Sequence, residues 1–390
     1  MSRNAGLANT YVYSLAVNSG GDIFAGCAND SYDGISRSMD YGNNWTKINS
    51  DLMFLNVKSL AINSSGDIFA GMDWSGGVYR STDNGDSWQT RGLGTSTVNC
   101  LVVNSLDHLF AGTARDGIYR SEVGGAAWTQ INNGLSNLEV HSIDFNSSGN
   151  LFAGTFGGGI YRSTNNGDNW TQINEGLTDV NVWSIAINPV GDIFLGTRDS
   201  GIFRSTDNGD TWIQVNEGLF DLNIRSLIIN SSNQIFAGTQ DDGIFRSEDN
   251  GSSWNQMSNG LTNTTILSLA LDPEGYLYAG SDGSGVFRTV QTTFIKTNNN
   301  TFLKSFELFQ NYPNPFNPIT VISWQLAVGS NVELTIYNIL GQKVKTLFNK
   351  YMPAGYHEVK FTGQNLSSGI YLYRIETGGW TDTKKMLLVK

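Results

Sequence analysis

The chain has 390 residues, and its 24 Lys and Arg against 35 Asp and Glu give a formal charge of −11 at pH 7. That excess of acid argues against a general nucleic-acid-binding protein, which needs basic side chains to neutralise phosphates. No run approaches the ~18 apolar residues of a membrane-spanning helix, and Met1–Arg3 opens no signal peptide. Charged residues make up only 15%, whereas 45 Gly and 12% aromatic residues favour turn-rich β-structure over helices.

The charge is uneven along the chain. Residues 1–300 carry 15 basic and 30 acidic side chains, whereas residues 301–390 carry 9 basic and 5 acidic ones. An asymmetry of that size indicates two regions with different roles.

One unit is repeated seven times before residue 298. Its most regular mark is an arginine, with successive spacings of 43, 40, 42, 42, 42 and 42 residues. The arginines are Arg37, Arg80, Arg120, Arg162, Arg204, Arg246 and Arg288. Each unit holds four short blocks rich in Ile, Val, Phe, Tyr and Trp and bounded by Gly, Asn, Asp or Ser, which is typical of short strands. Four strands per ~42 residues, copied seven times, predict an all-β fold, with a seven-bladed β-propeller over residues 1–297.

A turn with its own signature joins the third and fourth strands of most units. In Ser81–Trp88 the Asp can accept hydrogen bonds from backbone N–H groups two residues on, and the Trp can pack beneath the turn. This turn resembles the Asp-box (BNR) repeat of sialidases, sortilin-type receptors and xyloglucan-cleaving propellers. Ser205–Trp212 and Ser247–Trp254 match it well, unit three has Val123 and Ala127 instead, and unit seven has no box. The resemblance implies a propeller fold and places this turn away from the ligand-binding face.

The chain begins inside the repeat. Residues 3–7 align with Ile173–Leu177, the end of a fourth strand, and unit seven lacks a Trp strand after Arg288. Either residues 290–296 supply that strand, or N-terminal residues that once closed the ring are missing. We expect a truncated N-terminus, which would also explain the missing signal peptide.

A different domain follows the repeats. Residues 298–304 indicate a linker, and three prolines in six residues within Asn311–Pro318 predict a stiff extended loop. Alternating apolar residues then predict about seven short strands in ~85 residues, which is typical of a small immunoglobulin-like β-sandwich over residues 305–390.

This second domain resembles the type A C-terminal sorting domain of the type IX secretion system. The matching features are the Pro-rich opening, the blocks Tyr337–Gln342 and Ser368–Tyr371, and the terminal Lys385–Lys390. The residues that carry the sorting signal are Pro313, Pro315, Phe316, Pro318, Gly341, Lys385 and Lys390. The resemblance implies a Sec signal peptide, periplasmic transit and translocation by the type IX machinery as a partner. The protein is then expected to be secreted or attached to the outer cell surface.

The repeated arginines are predicted to be structural. Sialidases bind a substrate carboxylate with three arginines at unlike positions around one site, whereas these seven occupy the same strand position in every unit. We therefore expect them to hydrogen-bond carbonyl groups between blades. The Phe-Arg-Ile-Pro segment of sialidases is absent, and xyloglucan-cleaving relatives use two facing propellers where this chain has one.

No metal, cofactor or nucleophile is predicted. His108, His141 and His357 fall in two domains without the spacing of metal ligands, and the Asp-box turns lack the Glu that closes a calcium loop. Cys27 and Cys100 belong to blades two apart, beyond the ~7 Å Cα separation that a disulfide allows. Both cysteines are predicted to be small core residues.

Positions at which the repeats disagree are the candidates for ligand binding, because symmetry explains only what the units share. One such position is the second residue of each first strand, and first strands should line the central channel. These residues are Tyr13, Lys58, Asn99, His141, Trp183, Arg225 and Leu267. The loops above them, from the fourth strand to the first and from the second to the third, should open on the face opposite the Asp boxes. Those loops carry Tyr32, Asp73, Trp74, Arg115, Asp116, Phe156, Arg198, Asp199, Asp241, Asp242 and Asp282.

Aromatic side chains among carboxylates and amides suit sugar stacking with hydrogen bonding to hydroxyl groups; drift on a solvated face is the alternative interpretation. We expect a monomeric secreted or cell-surface binding module that recognises an extracellular glycan or protein through this face. One alternative is an Asp-box glycoside hydrolase, sialidase- or xyloglucanase-like, and another is a structural or adhesive surface protein. A hydrolase needs two carboxylates ~5–9.5 Å apart, and Asp199 with Asp241 or Asp242 is the pair to test.

Overall fold

The computed structural model describes residues 5–7, 11–27, 34–74, 76–258, 260–289, 307–311, 313–326, 330–352, 355–364, 366–377 and 380–389. The chain divides into two compact units, Met1–Phe294 and Ile295–Lys390. Within the described ranges the structure consists of strands, turns and loops, so it contains no helix that could cross a membrane. The predicted linker 298–304, the candidate strand 290–296, Tyr32 and Lys390 lie outside the described residues.

The described part of the first unit contains seven antiparallel sheets, which we number blades one to seven. Within each sheet the strands lie in chain order, with four strands in blades one to six and three in the described part of blade seven. The first strands are Val12–Val17, Val57–Ile62, Val98–Val103, Val140–Phe145, Val182–Ile187, Ile224–Ile229 and Ile266–Leu271. The second strands are Ile23–Cys27, Ile68–Met72, Leu109–Thr113, Leu151–Thr155, Ile193–Thr197, Ile235–Thr239 and Leu277–Ser281. The third strands are Ile35–Ser38, Val78–Ser81, Ile118–Ser121, Gly159–Ser163, Ile202–Ser205, Ile244–Ser247 and Val286–Arg288. The fourth strands of blades one to six are Thr46–Lys47, Gln89–Thr90, Thr129–Gln130, Thr171–Gln172, Ile213–Gln214 and Asn255–Gln256.

The blades form a closed ring. Each first strand contacts the first strands of the blades on either side, and the first strand of blade one contacts that of blade seven. At this closure the Ser268 hydroxyl donates a hydrogen bond to the Val12 carbonyl at 3.1 Å, and Tyr11 forms a backbone bridge with Asp282. The predicted all-β propeller is confirmed.

The stretch Ala5–Leu7 takes the place of a fourth-strand end before blade one. The Ala5 carbonyl accepts the backbone N–H of Trp45 at 2.8 Å, as the Glu175 carbonyl accepts that of Trp212 at 2.9 Å. Leu7 is buried in the same hydrophobic cluster as Trp45. The predicted alignment with Ile173–Leu177 is therefore confirmed for the described residues of this stretch.

The blades pack so closely that the second strand needs a glycine. In blade five, a Cβ atom added to Gly196 would lie 2.6 Å from Cγ2 of Ile224, in the first strand of blade six. All five residues of every second strand are buried. Side chains from neighbouring blades share one core, as Phe194 of blade five does with Phe245 and Trp254 of blade six.

In blades two to six the tryptophan of the repeated turn also joins two blades, whereas the Trp45 indole of blade one donates to the Gly42 carbonyl of its own turn at 3.1 Å. The Trp212 indole N–H donates to the Ile173 carbonyl of the preceding blade at 2.7 Å, and the Trp254 indole donates to the Val215 carbonyl at 2.8 Å. The indoles of Trp88, Trp128 and Trp170 make the equivalent bond. Each of these side chains therefore fills its own blade and holds the one before it.

The turn between the third and fourth strands, which we call the Asp turn, binds its own backbone. The Asp83 carboxylate accepts the N–H of Ser87 at 2.9 Å, four residues on, so the predicted reach of two residues is wrong. Asn84 takes a φ of 60°, which folds the chain back far enough for that longer reach. Hydrogen bonds from Ser87 and then from Ser81 lower the pKa of Asp83 to about 2.

The prediction that the repeated arginines hydrogen-bond carbonyl groups between blades is confirmed at four positions. The Arg162 guanidinium donates to the Asn208 carbonyl of the next Asp turn at 2.7 Å and pairs with Asp210 at 2.7 Å. Arg37, Arg120 and Arg204 donate to the equivalent carbonyl.

Arg80 differs from those four because it pairs with Asp67 of its own blade. Blade three, which follows, has Gly124 at the position that Asn208 occupies in blade five.

Cys27 and Cys100 form no disulfide. Cys27 is buried, and Cys100 packs against the core of blades three and four. Burial raises the pKa of the Cys100 thiol to about 12, so this side chain is not a thiolate at neutral pH.

The described strands of the second unit form two antiparallel sheets. One sheet contains Glu307–Leu308, Ile319–Leu326 and Gly355–Thr362, and the other contains Lys343–Met352, Ser330–Asn338, Gly369–Glu376 and Thr381–Leu388, each in that order. Trp324 of the first sheet and Tyr373 of the second are fully buried in one core. The unit is therefore a two-sheet sandwich, and its immunoglobulin-like topology stays a prediction.

The Pro-rich loop is tied to the last strand. Phe316 is buried, and its N–H donates to the Leu387 carbonyl at 2.9 Å. The Asn314 side-chain oxygen accepts the N–H of Leu387 at 2.8 Å, and Phe316 forms a parallel bridge with Leu388. Both ends of the sorting domain therefore meet in one place.

The remaining described sorting residues lie at the surface or in turns. Pro313, Pro315 and Lys385 are exposed. The Pro318 carbonyl accepts the N–H of Gly363 at 2.8 Å, and Gly341 takes a φ of 73° in the turn after Asn338.

Replacing Trp212 separates its two contributions to stability. Trp212→Phe removes the indole donor and should lower the free energy of unfolding by about 1 kcal/mol, whereas Trp212→Ala should lower it by about 3–5 kcal/mol. Urea unfolding followed by circular dichroism measures both. The neighbouring Ile213 is 53% exposed, so Ile213→Ala should change the value by less than about 0.5 kcal/mol. Equal losses at the two positions would contradict this description of the blade junction.

Candidate ligand-binding site at the channel mouth

Two classes of loop meet on one face of the propeller, which we call the mouth face. The Arg198 N–H, after a second strand, donates to the Asn181 carbonyl before a first strand at 3.1 Å. On the other face the turns between first and second strands contact the Asp turns, as Asn188 contacts Asn250 at 3.1 Å. These bonds confirm the predicted grouping of the loops.

The seven first-strand residues singled out from the sequence share a backbone irregularity. In blade five Val182 pairs with Thr197 and Ser184 pairs with Gly196, so Trp183 between them has no partner. The same shift leaves out the equivalent residue in the other six blades. A bulge re-aims the side chain of its extra residue. These seven residues therefore do not follow the regular in-and-out alternation of side chains along the strand, which fixes their neighbours in the packing between blades. All seven are half-buried.

A cleft of about 580 Å³ opens on the mouth face over blades two to four. Seven residues singled out from the sequence line it, namely Lys58, Asp73, Trp74, Asn99, Arg115, Asp116 and His141. The other lining residues are Thr95, Ser96, Thr97, Ala114 and Glu139.

The polar groups of the cleft are partly engaged with one another. The Lys58 ammonium lies 3.6 Å from the Asp73 carboxylate and 5.5 Å from the centre of the Tyr13 ring. The Asn99 amide donates to the Val140 carbonyl at 3.0 Å. The cleft therefore keeps its acceptor oxygens in fixed positions.

Trp74 stands at the rim of the cleft and is 65% exposed. Its φ of 52° lies in the left-handed region, which a bulky residue adopts only where the surrounding structure demands it. Its N–H donates to the Asp73 carboxylate at 2.8 Å. A second cavity of about 190 Å³ lies on its other side, where Met53 and Phe54 are also exposed.

Aromatic rings gather over blades four and five, next to the cleft. The His141 and Trp183 ring centres are 4.4 Å apart in an edge-to-face arrangement, and Phe156 lies 5.8 Å from His141 and 5.6 Å from Trp183. Arg225 of blade six stacks over Trp183 at 4.7 Å, and Arg198 stacks over Phe156 at 5.5 Å. We call these five residues the aromatic cluster.

Burial sets the charge states at the mouth. Burial lowers the pKa of His141. The hydrogen bond and charge of Glu139, at 3.2 Å, raise this pKa, and the positive charges of Lys58 and Arg225 lower it. His141 is therefore mainly neutral at pH 7. Burial also raises the pKa of Tyr13, with the Asp282 charge as the next cause.

The predicted carboxylates Asp199 and Asp242 do not join the cleft. The Asp199 side chain is 73% exposed and lies 3.9 Å from Arg198. The Asp242 N–H donates to the Thr239 hydroxyl at 3.1 Å, and its carbonyl accepts the Gln256 side chain. No three His, Cys, Asp or Glu side chains of the described residues are grouped as metal ligands.

Sequence reasoning missed the residue just before each first strand. Glu139 and Thr97 occupy this position and line the cleft. The seven blades differ there too, so the same comparison of repeats could have found it. The residues are Tyr11, Asn56, Thr97, Glu139, Asn181, Asn223 and Thr265.

A larger cavity, of about 770 Å³, lies on the opposite face between blades three and four. Its lining is mainly Asn and Ser from turns, including Asn104, Ser148 and Asn165, and it contains none of the predicted site residues.

Two families match the chain. Residues 3–150 and 136–268 match the DUF6242 beta propeller domain, and together they span more than half of the chain. The protein therefore belongs to this propeller family. Residues 310–390 match the secretion system C-terminal sorting domain, so the type IX machinery is involved in export and the protein is secreted or lies at the cell surface. No curated protein matches the chain.

Solved structures share the fold at low sequence identity. PorZ, an essential bacterial surface component of the type IX secretion system of Porphyromonas gingivalis, is 15% identical over 99% of this chain, with a TM-score of 0.59. The chain spans only 60% of the PorZ chain. The GH74 xyloglucanase of Xanthomonas campestris is 14% identical, with 83% of this chain and 59% of that one covered and a TM-score of 0.61. YCF48 bound to D1 peptide is 15% identical, with 73% and 95% covered and a TM-score of 0.59. At these identities the likeness shows the fold alone.

Asp144, three residues after His141, should make stability depend on pH. Burial raises the pKa of Asp144 to about 7, although the N–H groups of Phe145 and Ile187 donate to its carboxyl. The folded protein therefore favours the protonated form. The stability that this group contributes is complete below about pH 4 and is lost as the pH rises through 7.

Asp144→Asn should remove that loss and raise the free energy of unfolding at pH 8 by up to about 4 kcal/mol relative to the original chain. Urea titrations at several pH values between about 4 and 9 measure the difference. Asp199→Asn, at an exposed carboxylate, serves as the control and should leave the pH profile unchanged. A parallel profile for Asp144→Asn and the original chain would show that the carboxyl titrates normally.

Proposed function

We propose that the protein is a non-enzymatic binding module, exported to the cell surface or beyond, whose ligand is a glycan held on the mouth face. The observation that carries this proposal is the placement of Trp74, His141 and Trp183. All three are aromatic, they lie beside a polar cleft, and they occupy positions at which the blades differ.

The cleft has the chemistry that a sugar needs. A pyranose ring presents a C–H face that stacks on an indole and hydroxyl groups that need fixed acceptors and donors. Trp74 offers the exposed face. The acceptors are held by neighbours, since Asp116 accepts the Ser96 hydroxyl at 2.7 Å and Asp73 accepts the Thr97 hydroxyl at 3.2 Å. A volume of about 580 Å³ lies within the ordinary range of ligand pockets.

The arrangement of carboxylates favours binding over hydrolysis. Within the cleft Asp73 is engaged by Lys58, Asp116 by Ser96 and Glu139 by His141. A hydrolase needs one carboxyl free to protonate the leaving oxygen and a second to act as nucleophile or base. The pair suggested by the sequence, Asp199 with Asp241 or Asp242, is not part of the cleft lining. We therefore propose recognition without bond cleavage.

Removing the exposed indole tests the proposal. Trp74→Ala should weaken binding of the full chain to a glycan array by about tenfold or more, because stacking area is lost at a position that does not support the fold. Trp183→Ala should do the same through the aromatic cluster. Val190, 79% exposed in a turn between first and second strands, supplies the control Val190→Ala, which should bind like the original chain.

Each result has a definite meaning. Binding that survives both tryptophan changes would place the ligand elsewhere and contradict the site. A blank array, together with capture of a peptide, would show a protein ligand and contradict the glycan assignment. Release of reducing sugar from a bound glycan, abolished by Asp199→Asn or Asp242→Asn, would show that the protein is an enzyme.

A further inference from the structure

Two arginines of the mouth face are stacked on neighbouring rings, which recognition of a neutral sugar does not require. Arg225 Cζ lies 4.7 Å from the centre of the Trp183 ring, and Arg198 Cζ lies 5.5 Å from the centre of the Phe156 ring. The two rings are themselves 5.6 Å apart. Two guanidinium groups therefore project from one small cluster.

These arginines lack a close carboxylate partner within the described residues. Arg225 donates from Nε to the neutral Gln240 side chain at 2.6 Å, and it takes part in no ion pair there. Arg198 approaches Asp199 only to 3.9 Å, with both side chains well exposed, and such pairs are weak because water screens them. By contrast, Nη1 of the repeated Arg162 donates hydrogen bonds to the Asn208 carbonyl and to the Asp210 carboxylate.

Both acidic and basic side chains affect the pKa of Arg225. Burial lowers the pKa of Arg225, Tyr13 and Asp282 are the next largest causes and raise it, and the positive charge of Arg198 has a smaller lowering effect because the two guanidinium groups repel each other. Tyr13, Asp282 and Asp221 oppose that effect without an ion-pair contact to Arg225. Lys58 is not free to serve the same purpose, because it faces Asp73 at 3.6 Å.

Stacking on an aromatic face leaves the N–H edge of a guanidinium group open. That edge is a planar fork that matches a carboxylate or sulfate with two parallel hydrogen bonds. An anion placed between two such groups would also relieve their repulsion.

We propose that Arg225 and Arg198 bind an acidic group, a carboxylate or a sulfate, of the glycan. This inference rests on the proposed function and names the chemical class of its ligand. The neutral part of the glycan then extends toward the cleft, where Trp74 and the acceptor oxygens lie.

Paired probes test the inference on the full chain. One pair is oligogalacturonate and its methyl ester, and the other is a sulfated galactan and the same galactan without sulfate. The acidic member of at least one pair should bind and the neutral member should bind much more weakly. The pair that binds distinguishes a carboxylate from a sulfate. Binding should also weaken as NaCl rises from about 50 to about 500 mM.

Variants assign the effect to the two side chains. Arg225→Gln and Arg198→Gln should each weaken binding of the acidic probe by about 10- to 100-fold. Arg225→Lys keeps the charge but loses the fork, so it should give an intermediate affinity. The matched control is Arg374→Gln, which removes an arginine that also stacks on a ring, Tyr337 of the second unit at 5.9 Å. It should leave binding unchanged.

The possible failures are distinguishable. If acidic and neutral members bind equally well, or if neither glutamine variant weakens the acidic probe, the acidic-group inference is wrong while the glycan-binding module stands. If none of the four probes and no glycan on the array binds, the proposed function is wrong and the inference falls with it.

Discussion

Close packing of each blade against the next is the constraint on which the rest of this structure depends. A first strand lies so near the second strand of the preceding blade that a glycine is needed there, as Gly196 is opposite Ile224. The Trp212 indole of blade five and the Arg162 guanidinium of blade four then tie these two blades together from both sides. No blade is complete alone, so stability is a property of the closed ring.

Because of this close packing, some residues of each unit serve the junctions between blades and others are left to vary. Side chains that the blades repeat are committed to the junctions, as Trp212 and Arg162 are. The bulge in each first strand removes one residue per blade from that commitment, and in blades two to four this residue lines the cleft. Seven unlike side chains can therefore occupy seven equivalent backbone positions, which lets a symmetric scaffold carry an asymmetric surface. The aromatic cluster and the cleft are two products of that freedom.

The sequence was sufficient to predict the propeller, its loop grouping, the structural arginines and the sorting domain, because repeats and turn residues report backbone geometry directly. It could not predict the reach of the Asp83 carboxylate, which depends on the φ of Asn84. It could not predict the stacking of Arg225 on Trp183 either, since the two residues belong to different blades. The sequence suggests Asp199 with Asp241 or Asp242 as a carboxylate pair only from residue type and from their places on adjacent blades. They lie outside the cleft lining because of the path that each loop takes. The alternation of apolar and polar residues along a strand does not predict that path.

We propose that the ligand occupies the mouth face, although the larger cavity lies on the opposite face. Hydrogen–deuterium exchange of the full chain, with and without the tightest-binding oligosaccharide, tests it most directly. Exchange should slow at residues 73–74, 95–99, 114–116 and 139–141, the segments that carry the cleft lining, and should not change at residues 104–106 and 146–149. Protection of those opposite turns, with the cleft loops unaffected, would contradict a ligand site on the mouth face.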